Sequence, residues 1–326
     1  KYFIKFINKQ KGGKMFKIKK LFSFIFISLI LLSFNANAIK VGLSQPNLGW
    51  PYIAVVTNTL IAEADKMDDV ELIVMDAGGD IAKQVADLES LTAKGVDVIM
   101  FCSLDGNAIV PGLMVANDAG IPLLAISNEP NEQGKKLYAG FSGPDDYVQG
   151  VIAAEIMHEA LGGKGNVVVI EGSLGQSTTD LRNNGFKDGL SKLNSDIIIL
   201  ANQTANWDPV QAKAVTEDFI TTFGDKIDGL FSQDDNTAAS AAEVFKDAGM
   251  LPRVKIVGTG GSTNGLAAIK DGLVYGTMNQ SPSTDAKQGL SFAIDLANGK
   301  SLPEVRNIIP MPIITAENVS QFKGEW

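Results

Sequence analysis

Short apolar runs alternate with longer amphipathic segments along most of the chain. The short runs are typical of buried strands, and the longer segments repeat apolar residues every three or four positions, as helices do. Strands separated by helices indicate parallel sheets covered on both faces. Strands are predicted at residues 39–43, 71–75, 96–101, 123–126, 137–139, 166–171, 196–200, 227–231, 255–258, 275–278 and 308–315. Helices are predicted at residues 51–66, 81–93, 108–119, 151–161, 180–193, 209–223, 237–248, 264–270 and 288–298.

Two parts of this pattern share one layout, which divides the chain into two halves. A predicted strand is followed by Asp105-Gly106-Asn107 in the first half and by Asp234-Asp235-Asn236 in the second. The following helices end near Asp118 and Asp247, each 13 residues after the first aspartate of its half. The sequence therefore predicts an α/β fold with two similar halves that face each other and between which the chain crosses more than once.

The first 38 residues differ in composition from the rest. Met15 is followed by lysines at positions 17, 19 and 20, an apolar run over residues 21–34, and Ala36-Asn37-Ala38. A charged start, an apolar centre and a small-residue end are typical of an export signal. The apolar run is shorter than the roughly 20 residues of a membrane-spanning helix. We therefore expect cleavage after Ala38 and a periplasmic protein, with residues 1–14 as an upstream tail.

Export would leave a strongly acidic protein. Residues 1–38 hold eight lysines and no acidic residue, so the remainder has 20 basic and 37 acidic residues, a net charge of −17. Such a surface argues against nucleic acid and against anionic lipid as partners. A single cysteine, Cys102, excludes an internal disulfide, and we expect it to be a small buried apolar group.

Two adjacent carboxylates follow the predicted strand at residues 227–231. In open α/β sheets, ligands bind in the crevice beyond the carboxyl ends of the strands. One of Asp234 and Asp235 is expected to cap the next helix. The other would then point into the crevice as an acceptor for a ligand.

Aromatic residues stand at the equivalent junctions of both halves. Trp50 and Tyr52 flank Pro51, a residue that suits the first position of a helix. Trp207 precedes Asp208-Pro209 in the same arrangement. Either these rings pack locally, or they form a sandwich around a flat ligand such as a sugar, whose hydroxyls bind polar groups.

Asn128 and Arg182 complete the candidates that the residues themselves suggest. Asn128 follows the strand predicted at residues 123–126, where an ordinary turn before Pro130 is the alternative. Arg182 lies near the start of a helix, where a positive charge is unfavourable. It is either an outward surface residue or a guanidinium that donates several hydrogen bonds to a ligand.

Several catalytic and cofactor sites are excluded by their motifs. The glycine-rich segment at residues 258–265 lacks the Gly-Lys-Ser/Thr ending of a phosphate loop and the spacing of a dinucleotide fingerprint. Gly172-Ser173-Leu174-Gly175 does not match a nucleophile elbow. With His158 as the only histidine, a zinc site or a histidine-based triad lacks ligands or a base. We therefore expect no metal, no cofactor and no enzymatic activity.

In order and spacing, these junctions resemble the periplasmic sugar-binding proteins of the ribose/galactose type, which feed ABC importers. The resemblance covers residues 39–315. It implies a type I periplasmic binding protein, with two Rossmann-like lobes of parallel sheet joined by three hinge strands and a ligand between them. The N-terminal lobe would comprise residues 39–144 and 281–310, and the C-terminal lobe residues 145–280 and 311–326. It also implies a monomer that meets an inner-membrane ABC permease and, as an option, a chemotaxis receptor.

The resemblance assigns roles to individual residues and reveals two departures. Matching positions are the ring-bearing junction at Trp50, Tyr52 and Ile53, the sugar-binding Arg182, the second-lobe Trp207, the polar pair Asp234 and Asp235, and the hinge glutamine Gln280. Ribose-type proteins often have Asp-Arg where this chain has Ser127-Asn128, and an aspartate where Gly260 stands. These departures concern the identity of the sugar.

The function predicted from the sequence is capture of a monosaccharide, a pentose or hexose, for import. The alternatives are a related polyol, a sugar acid, a furanosyl signal molecule, or an exported carbohydrate-active enzyme that uses Asp234 and Asp235. A ligand carboxylate would face two aspartates with Arg182 alone to balance it, and an unpaired buried charge is costly. We therefore expect a neutral polyhydroxylated ligand.

Overall fold

The computed structural model describes residues 38–326, so the predicted export signal lies outside the described residues apart from Ala38. Residues 39–326 form one compact unit. Its strands are β1 (Ile39–Gln45), β2 (Val70–Asp76), β3 (Val98–Phe101), β4 (Leu123–Ile126), β5 (Gly140–Gly143), β6 (Lys164–Glu171), β7 (Asp196–Thr204), β8 (Gly229–Ser232), β9 (Lys255–Val257), β10 (Gly276–Met278), β11 (Arg306–Ile308) and β12 (Ile313–Thr315). Its α-helices are α1 (Pro51–Ala64), α2 (Ile81–Ala93), α3 (Val110–Asp118), α4 (Asp146–Leu161), α5 (Ser177–Lys192), α6 (Pro209–Phe223), α7 (Asp235–Asp247), α8 (Thr263–Lys270) and α9 (Pro282–Ala297).

Two six-stranded sheets confirm the predicted α/β fold class. The first has the order β11-β5-β4-β3-β1-β2, and all of its strand pairs are parallel. The second has the order β12-β10-β9-β8-β6-β7 and is parallel except for the β10–β12 pair. Each sheet carries an apolar cluster on both faces, which is why its strands are almost continuously apolar.

The chain crosses between the two sheets at three places. It leaves β5 for α4, leaves β10 for α9, and passes from β11 to β12. Helix α9 follows a strand of the second sheet but packs on the first, where Leu290 and Ala293 share a cluster with Val41 and Leu124. The lobe boundaries expected from the sequence stay a prediction.

Two predicted strands differ from the structure. Residues 137–139 precede β5 instead of forming a strand, because a turn of 3₁₀-helix at Gly134–Lys136 delays the extended chain. The single strand predicted at residues 308–315 is two short strands in different sheets. Pro310 and Pro312 lie between them, and proline removes the N–H that a ladder requires.

Aspartate side chains cap the starts of several helices. Asp80, Asp208 and Asp234 each accept hydrogen bonds from two backbone N–H groups of the following turn. Such caps satisfy donors that a helix leaves free. No helix among residues 38–326 is both long and apolar enough to cross a membrane.

Candidate functional site

A cavity lies where the carboxyl ends of strands from both sheets face each other. Its volume, open mouth included, is about 630 Å3. Seven of the eight predicted site residues line it: Trp50, Tyr52, Asn128, Arg182, Trp207, Asp234 and Gln280. The structure adds lining residues that sequence reasoning missed, among them Gln176, Thr178, Asn236, Thr259 and Trp326.

Arg182 is buried in the wall of the cavity, and each nitrogen of its guanidinium group has a hydrogen-bond partner. Its Nε donates to Asp146 Oδ1 at 3.1 Å and to Gln149 Oε1 at 3.0 Å. Its Nη1 donates to the backbone oxygen of Gln233 at 2.6 Å, and its Nη2 donates to Gln280 Oε1 at 3.2 Å. Nη2 also lies 3.0 Å from Asp146 Oδ1. The guanidinium is therefore held in one orientation, and its charge is already balanced within the protein.

Close contact between two helices brings this pair together. A Cβ at Gly150 of α4 would lie 2.2 Å from the backbone oxygen of Arg182, and one at Gly185 of α5 would lie 2.0 Å from that of Tyr147. Only glycine permits backbones to approach so closely. The two glycines thus let α4 and α5 touch, which places Asp146 against Arg182.

Burial dominates the titration of Asp146. It raises the pKa of Asp146 to about 6, although Arg182 and a hydrogen bond from Thr178 Oγ1 both favour the charged carboxylate. Removal of a carboxylate from water is costly even when a partner is present. In this buried pair, the cost of desolvating the Asp146 carboxylate therefore opposes its attraction to the Arg182 guanidinium.

Asp234 both caps a helix and faces the cavity. Its Oδ1 accepts from the backbone N–H groups of Asn236 at 2.8 Å and Thr237 at 3.0 Å, at the start of α7. Burial raises the pKa of Asp234 to about 7, while the two backbone donors oppose the rise. A carboxyl group at this position can bind ligand hydroxyls as acceptor and, when protonated, as donor.

Asp235 does not reach the cavity, which corrects the expectation that one aspartate caps and its neighbour faces the ligand. Its fully buried carboxylate accepts from the N–H groups of Gly261 at 2.6 Å and Ser262 at 3.0 Å, and from Thr277 Oγ1 at 2.7 Å. A Cβ at Gly258 would lie 2.1 Å from Asp235 Oδ1. The side chain thus fills a slot beside β9 and fixes the loop that follows this strand.

Trp207 forms the aromatic wall on the side of the second sheet. Its backbone φ is 61°, and that of Asn206 is 52°, a conformation that non-glycine residues rarely adopt. Its Nε1 donates to Gln176 Oε1 at 2.7 Å, and the guanidinium carbon of Arg182 lies 5.8 Å from its ring centre. A Cβ at Gly172 would lie 1.8 Å from the ring. These contacts hold the indole in place, and the backbone that carries it has an uncommon conformation of the kind that often occurs at functional sites.

The opposite wall carries Trp50 and Tyr52 at the start of α1. Pro51 is the first residue of this helix, so both rings project from its N-terminal end. The Tyr52 hydroxyl donates to Asp285 Oδ2 at 3.0 Å, and the hydroxyl of Ser127 donates to the same oxygen at 2.6 Å. Burial raises the pKa of Asp285 to about 7. Tyr52 is therefore positioned by a buried acid that the sequence did not indicate.

Loops from the two halves touch at the rim of the cavity. Thr178 Oγ1 lies 2.9 Å from Asn128 Oδ1, and the Ser177 hydroxyl donates to the backbone oxygen of Glu129. Nearby, the N–H of Gly106 donates to the backbone oxygen of Gly175 at 3.2 Å. Asn128 is thus a bridge across the cavity mouth as well as a lining residue.

Of the residues that sequence reasoning missed, Asp146 could have been found from the sequence, whereas Trp326 could not. Asp146 is the second of two adjacent aspartates in a segment that reads as a turn, so it resembles the Asp234-Asp235 pair. Trp326 lies far from every strand–helix junction in sequence, yet its ring meets that of Tyr52 edge-on with centres 5.6 Å apart. Within residues 38–326, no cluster of His, Cys, Asp and Glu has the geometry of a metal site.

Comparison of the sequence with known proteins identifies relatives that are named as binding proteins. Residues 41–301 match the family model described as a periplasmic binding protein domain. The chain is 34% identical over 254 residues to the xylitol-binding protein of Mycolicibacterium smegmatis, covering 78% of this chain and 71% of that protein. It is 28% identical over 279 residues to the ribose import binding protein of Bacillus subtilis, covering 86% and 87%.

A solved structure gives the same answer for the fold. The ABC transporter periplasmic solute binding protein of Actinobacillus succinogenes with bound D-allose superposes with a TM-score of 0.77 at 26% identity, covering 87% of this chain and 99% of the other. The resemblance noted in the sequence is therefore confirmed, and the relatives are named as binding proteins. The family match spans most of the chain, and the chain belongs to the periplasmic binding protein family.

Proposed function

We propose that this protein is an exported solute receptor that captures a neutral sugar or polyol between its two lobes and delivers it to an ABC import permease. One observation carries the proposal: the cavity combines aromatic rings on opposite walls with an arginine whose charge is already balanced. Flat rings suit the C–H faces of a polyhydroxylated ligand, and the fixed polar groups suit its hydroxyls.

The composition of the wall favours a neutral ligand over a sugar acid. Arg182 is the cation of the cavity lining, and Asp146 pairs with it at 3.0 Å. Asp234 lines the same space. A ligand carboxylate would meet no free positive charge there and would be desolvated beside a carboxyl group, which is costly.

Names of relatives support the same ligand class. They include a xylitol-binding protein and ribose import binding proteins, and one solved relative contains D-allose. A pentose or hexose is the ligand expected from the sequence, and xylitol extends that class to open-chain polyols. A furanosyl signal molecule would also belong to this ligand class, since it presents the same hydroxyl groups and C–H surfaces.

Capture would involve closure of the lobes at residues 39–144 with 281–310 and 145–280 with 311–326. Three crossings join the two sheets, and a few such connecting residues can absorb the change in backbone angles. Contacts such as Thr178 to Asn128 would form on closure and break on opening. The closed monomer would present one surface of both lobes to the permease and, alternatively, to a chemotaxis receptor.

Asp234 and Asp235 do not form the pair of acids that an enzymatic role would require at the ligand. Asp235 is bonded to the loop after β9, so Asp234 and Asp235 do not flank a common space. Glycoside hydrolysis requires two carboxyl groups on either side of the bond that breaks. We therefore propose binding without turnover, in the periplasm, after removal of residues 1–38.

The test is a ligand screen on the protein purified from residue 39 onward. Thermal shift followed by calorimetry would compare pentoses, hexoses, pentitols and inositols with the matching aldonic and uronic acids. A ligand that binds the native state raises its stability. We expect micromolar or tighter binding of a neutral member and no turnover of it. Tight binding of acids alone would refute the ligand class.

A further inference from the structure

We propose that Gln149 is a positioning residue, which holds the side-chain amide of Gln280 with its N–H groups toward the ligand. The site would then select a sugar or polyol that places an acceptor oxygen at this point. Gln149 is fully buried and is not itself a lining residue of the cavity. The inference rests on the proposed function and deepens it, because it names one requirement that the ligand must meet.

Gln149 lies between the guanidinium of Arg182 and the amide of Gln280. Arg182 Nε donates to Gln149 Oε1 at 3.0 Å, and Gln149 Nε2 donates to Gln280 Oε1 at 3.0 Å. A guanidinium only donates hydrogen bonds. The amide oxygen of Gln149 must therefore face Arg182, and its N–H groups face Gln280.

The same rule fixes the amide of Gln280. Its Oε1 accepts from Gln149 Nε2 and, at 3.2 Å, from Arg182 Nη2. An amide oxygen has two lone pairs, so both are engaged within the protein and neither is left for a ligand hydroxyl. The backbone is held as well, because the N–H of Gln280 donates to the backbone oxygen of Gly260 at 2.8 Å. The amide nitrogen therefore points away from Arg182.

The nitrogen of this amide lies on the cavity side. Gln280 lines the cavity and keeps 7% of its surface exposed. Its Nε2 is not among the side-chain atoms of residues 38–326 that are sealed without a hydrogen-bond partner. Burial and Asp285 raise the pKa of Tyr52, and a hydrogen bond with Gln280 opposes this rise, as a donor to the phenol oxygen does. An amide nitrogen has two N–H groups, so a second donor is left for the ligand.

Helix α4 supplies both residues that meet Arg182 Nε. Asp146 Oδ1 accepts from this nitrogen at 3.1 Å and Gln149 Oε1 at 3.0 Å. Residues three positions apart lie on the same face of a helix, which is why both reach the same guanidinium. Asp146 balances its charge, whereas Gln149 transmits its orientation to Gln280 in the crossing from β10 to α9.

The inference predicts selectivity at one position of the ligand. An analogue that lacks the contacted oxygen loses the hydrogen bond from Gln280, whereas an analogue altered elsewhere keeps it. One neutral hydrogen bond corresponds to about 3- to 10-fold in affinity. Loss of Gln149 should therefore weaken only those ligands that carry this oxygen.

The test is a double-mutant cycle, measured by calorimetry on the complete exported chain. The probe is the tightest binder among xylitol, D-ribose, D-allose and myo-inositol, together with its mono-deoxy analogues. Gln149→Met and Gln280→Met each keep the approximate shape of the side chain and remove the amide. We expect each to weaken the parent ligand about 3- to 10-fold. In the Gln280→Met protein, Gln149→Met should have no further effect, since coupled residues are not additive. Both variants should leave unchanged the affinity for one mono-deoxy analogue.

Gln84→Met is the matched control, because Gln84 is equally buried and bonds to the backbone of Cys102 and Leu104, neither of which lines the cavity. It should lower stability but keep every affinity within 2-fold. Gln149→Asn repeats the test with an amide too short to span both of its partners, so that the result does not depend on whether Gln149→Met folds.

The inference would be overturned by equal effects of the Gln149 substitution with and without Gln280, or by equal weakening of all analogues. Either result would mean that Gln149 acts on the fold or on Arg182 alone. Unchanged affinities would also overturn it, with the proposed function intact because the unsubstituted protein still binds. If the unsubstituted protein binds none of the probes, the proposed function fails and the inference falls with it.

Discussion

Arg182 and Asp146 form a buried ion pair, with Nη2 and Oδ1 3.0 Å apart and each side chain less than a tenth exposed. Arg182 lines the ligand cavity and also contacts Gln149 and Gln280, residues from α4 and from the crossing after β10. It therefore couples the charge of the site to the contact between α4 and α5. Its consequences can be measured both as stability and as ligand choice.

Arg182→Ala should impair stability and binding together. Loss of the guanidinium leaves Asp146 buried without its cation, and removal of one partner of a buried pair typically costs about 3–5 kcal/mol. We expect chemical denaturation to show a loss of that order and calorimetry to show at least about 2 kcal/mol weaker binding.

The matched control for Arg182→Ala is Lys213→Ala. Lys213 pairs with Glu243 at 2.6 Å on the exposed surface. Exposed pairs contribute about 0–1 kcal/mol, so this variant should keep its affinity. If Arg182→Ala is as stable as the unsubstituted protein, the pair does not hold the site together.

Asp146→Asn should shift ligand preference toward acids. The substitution keeps the shape of the side chain but leaves the charge of Arg182 unbalanced, so a ligand carboxylate gains a partner. Calorimetry should show the affinity for an aldonic acid rising relative to that for the matching neutral sugar. Preference of the unsubstituted protein for the acid would contradict the role assigned to Asp146.

The positions of most site residues could be predicted because parallel strands bring their carboxyl ends to one edge. Trp50, Arg182 and Trp207 follow strands or open helices, so topology alone brings them together. The partner of Arg182 could not be predicted in this way. The adjacent aspartates at positions 145 and 146 mark Asp146 as a polar candidate, but its pairing with Arg182 depends on a close approach of two helices at Gly150 and Gly185, which lie far apart in the sequence.

The error on Asp235 has a different cause. The sequence argument gave one aspartate the cap and the other the cavity, whereas Asp234 performs both tasks with one carboxyl group. Asp235 then fills a slot that glycines at positions 258 and 265 leave open. Trp326 was missed for a similar reason, because its place depends on Gly260, 66 positions earlier in the chain.

Stability should fall between about pH 5 and pH 8, and Asp285→Asn should reduce the fall. Burial raises the pKa of Asp285 to about 7, and hydrogen bonds from Ser127 and Tyr52 only partly oppose it. The folded state therefore keeps a proton that the unfolded state has lost above its ordinary pKa near 4. Unfolding free energy thus decreases as pH rises through this window and levels off above the folded pKa.

The size of the effect follows from the same pKa. From pH 5 to pH 8, Asp285 alone should account for about 2–3 kcal/mol of the decrease. Urea denaturation across this range should show a smaller decrease for Asp285→Asn than for the unsubstituted protein. Asp225→Asn, at a fully exposed position, should keep the full decrease. Identical profiles for all three proteins would show that Asp285 does not titrate in this window.

A disulfide across the cavity rim should lock the lobes together. A Cβ at Gly106 would lie 3.7 Å from the Cβ of Ser177, close to the mean of about 3.8 Å in disulfides. Neither residue lines the cavity, and the lone native thiol, Cys102, is buried. The double variant Gly106→Cys/Ser177→Cys should therefore form one cross-link on oxidation without changing the ligand-binding groups.

The cross-link should slow the exchange of ligand, because it would prevent the two lobes from separating. If capture requires the contacts near Asn128 and Thr178 to open, oxidation in the presence of ligand should slow its release at least about tenfold, and reduction should restore the rate. Small-angle scattering should show a ligand-dependent decrease in radius of gyration for the reduced variant and none for the oxidised one. The single variants Gly106→Cys and Ser177→Cys are the controls and should exchange ligand at the normal rate. Unchanged exchange after complete oxidation would mean that the ligand enters without separation of the lobes, and the hinge proposal would then be wrong.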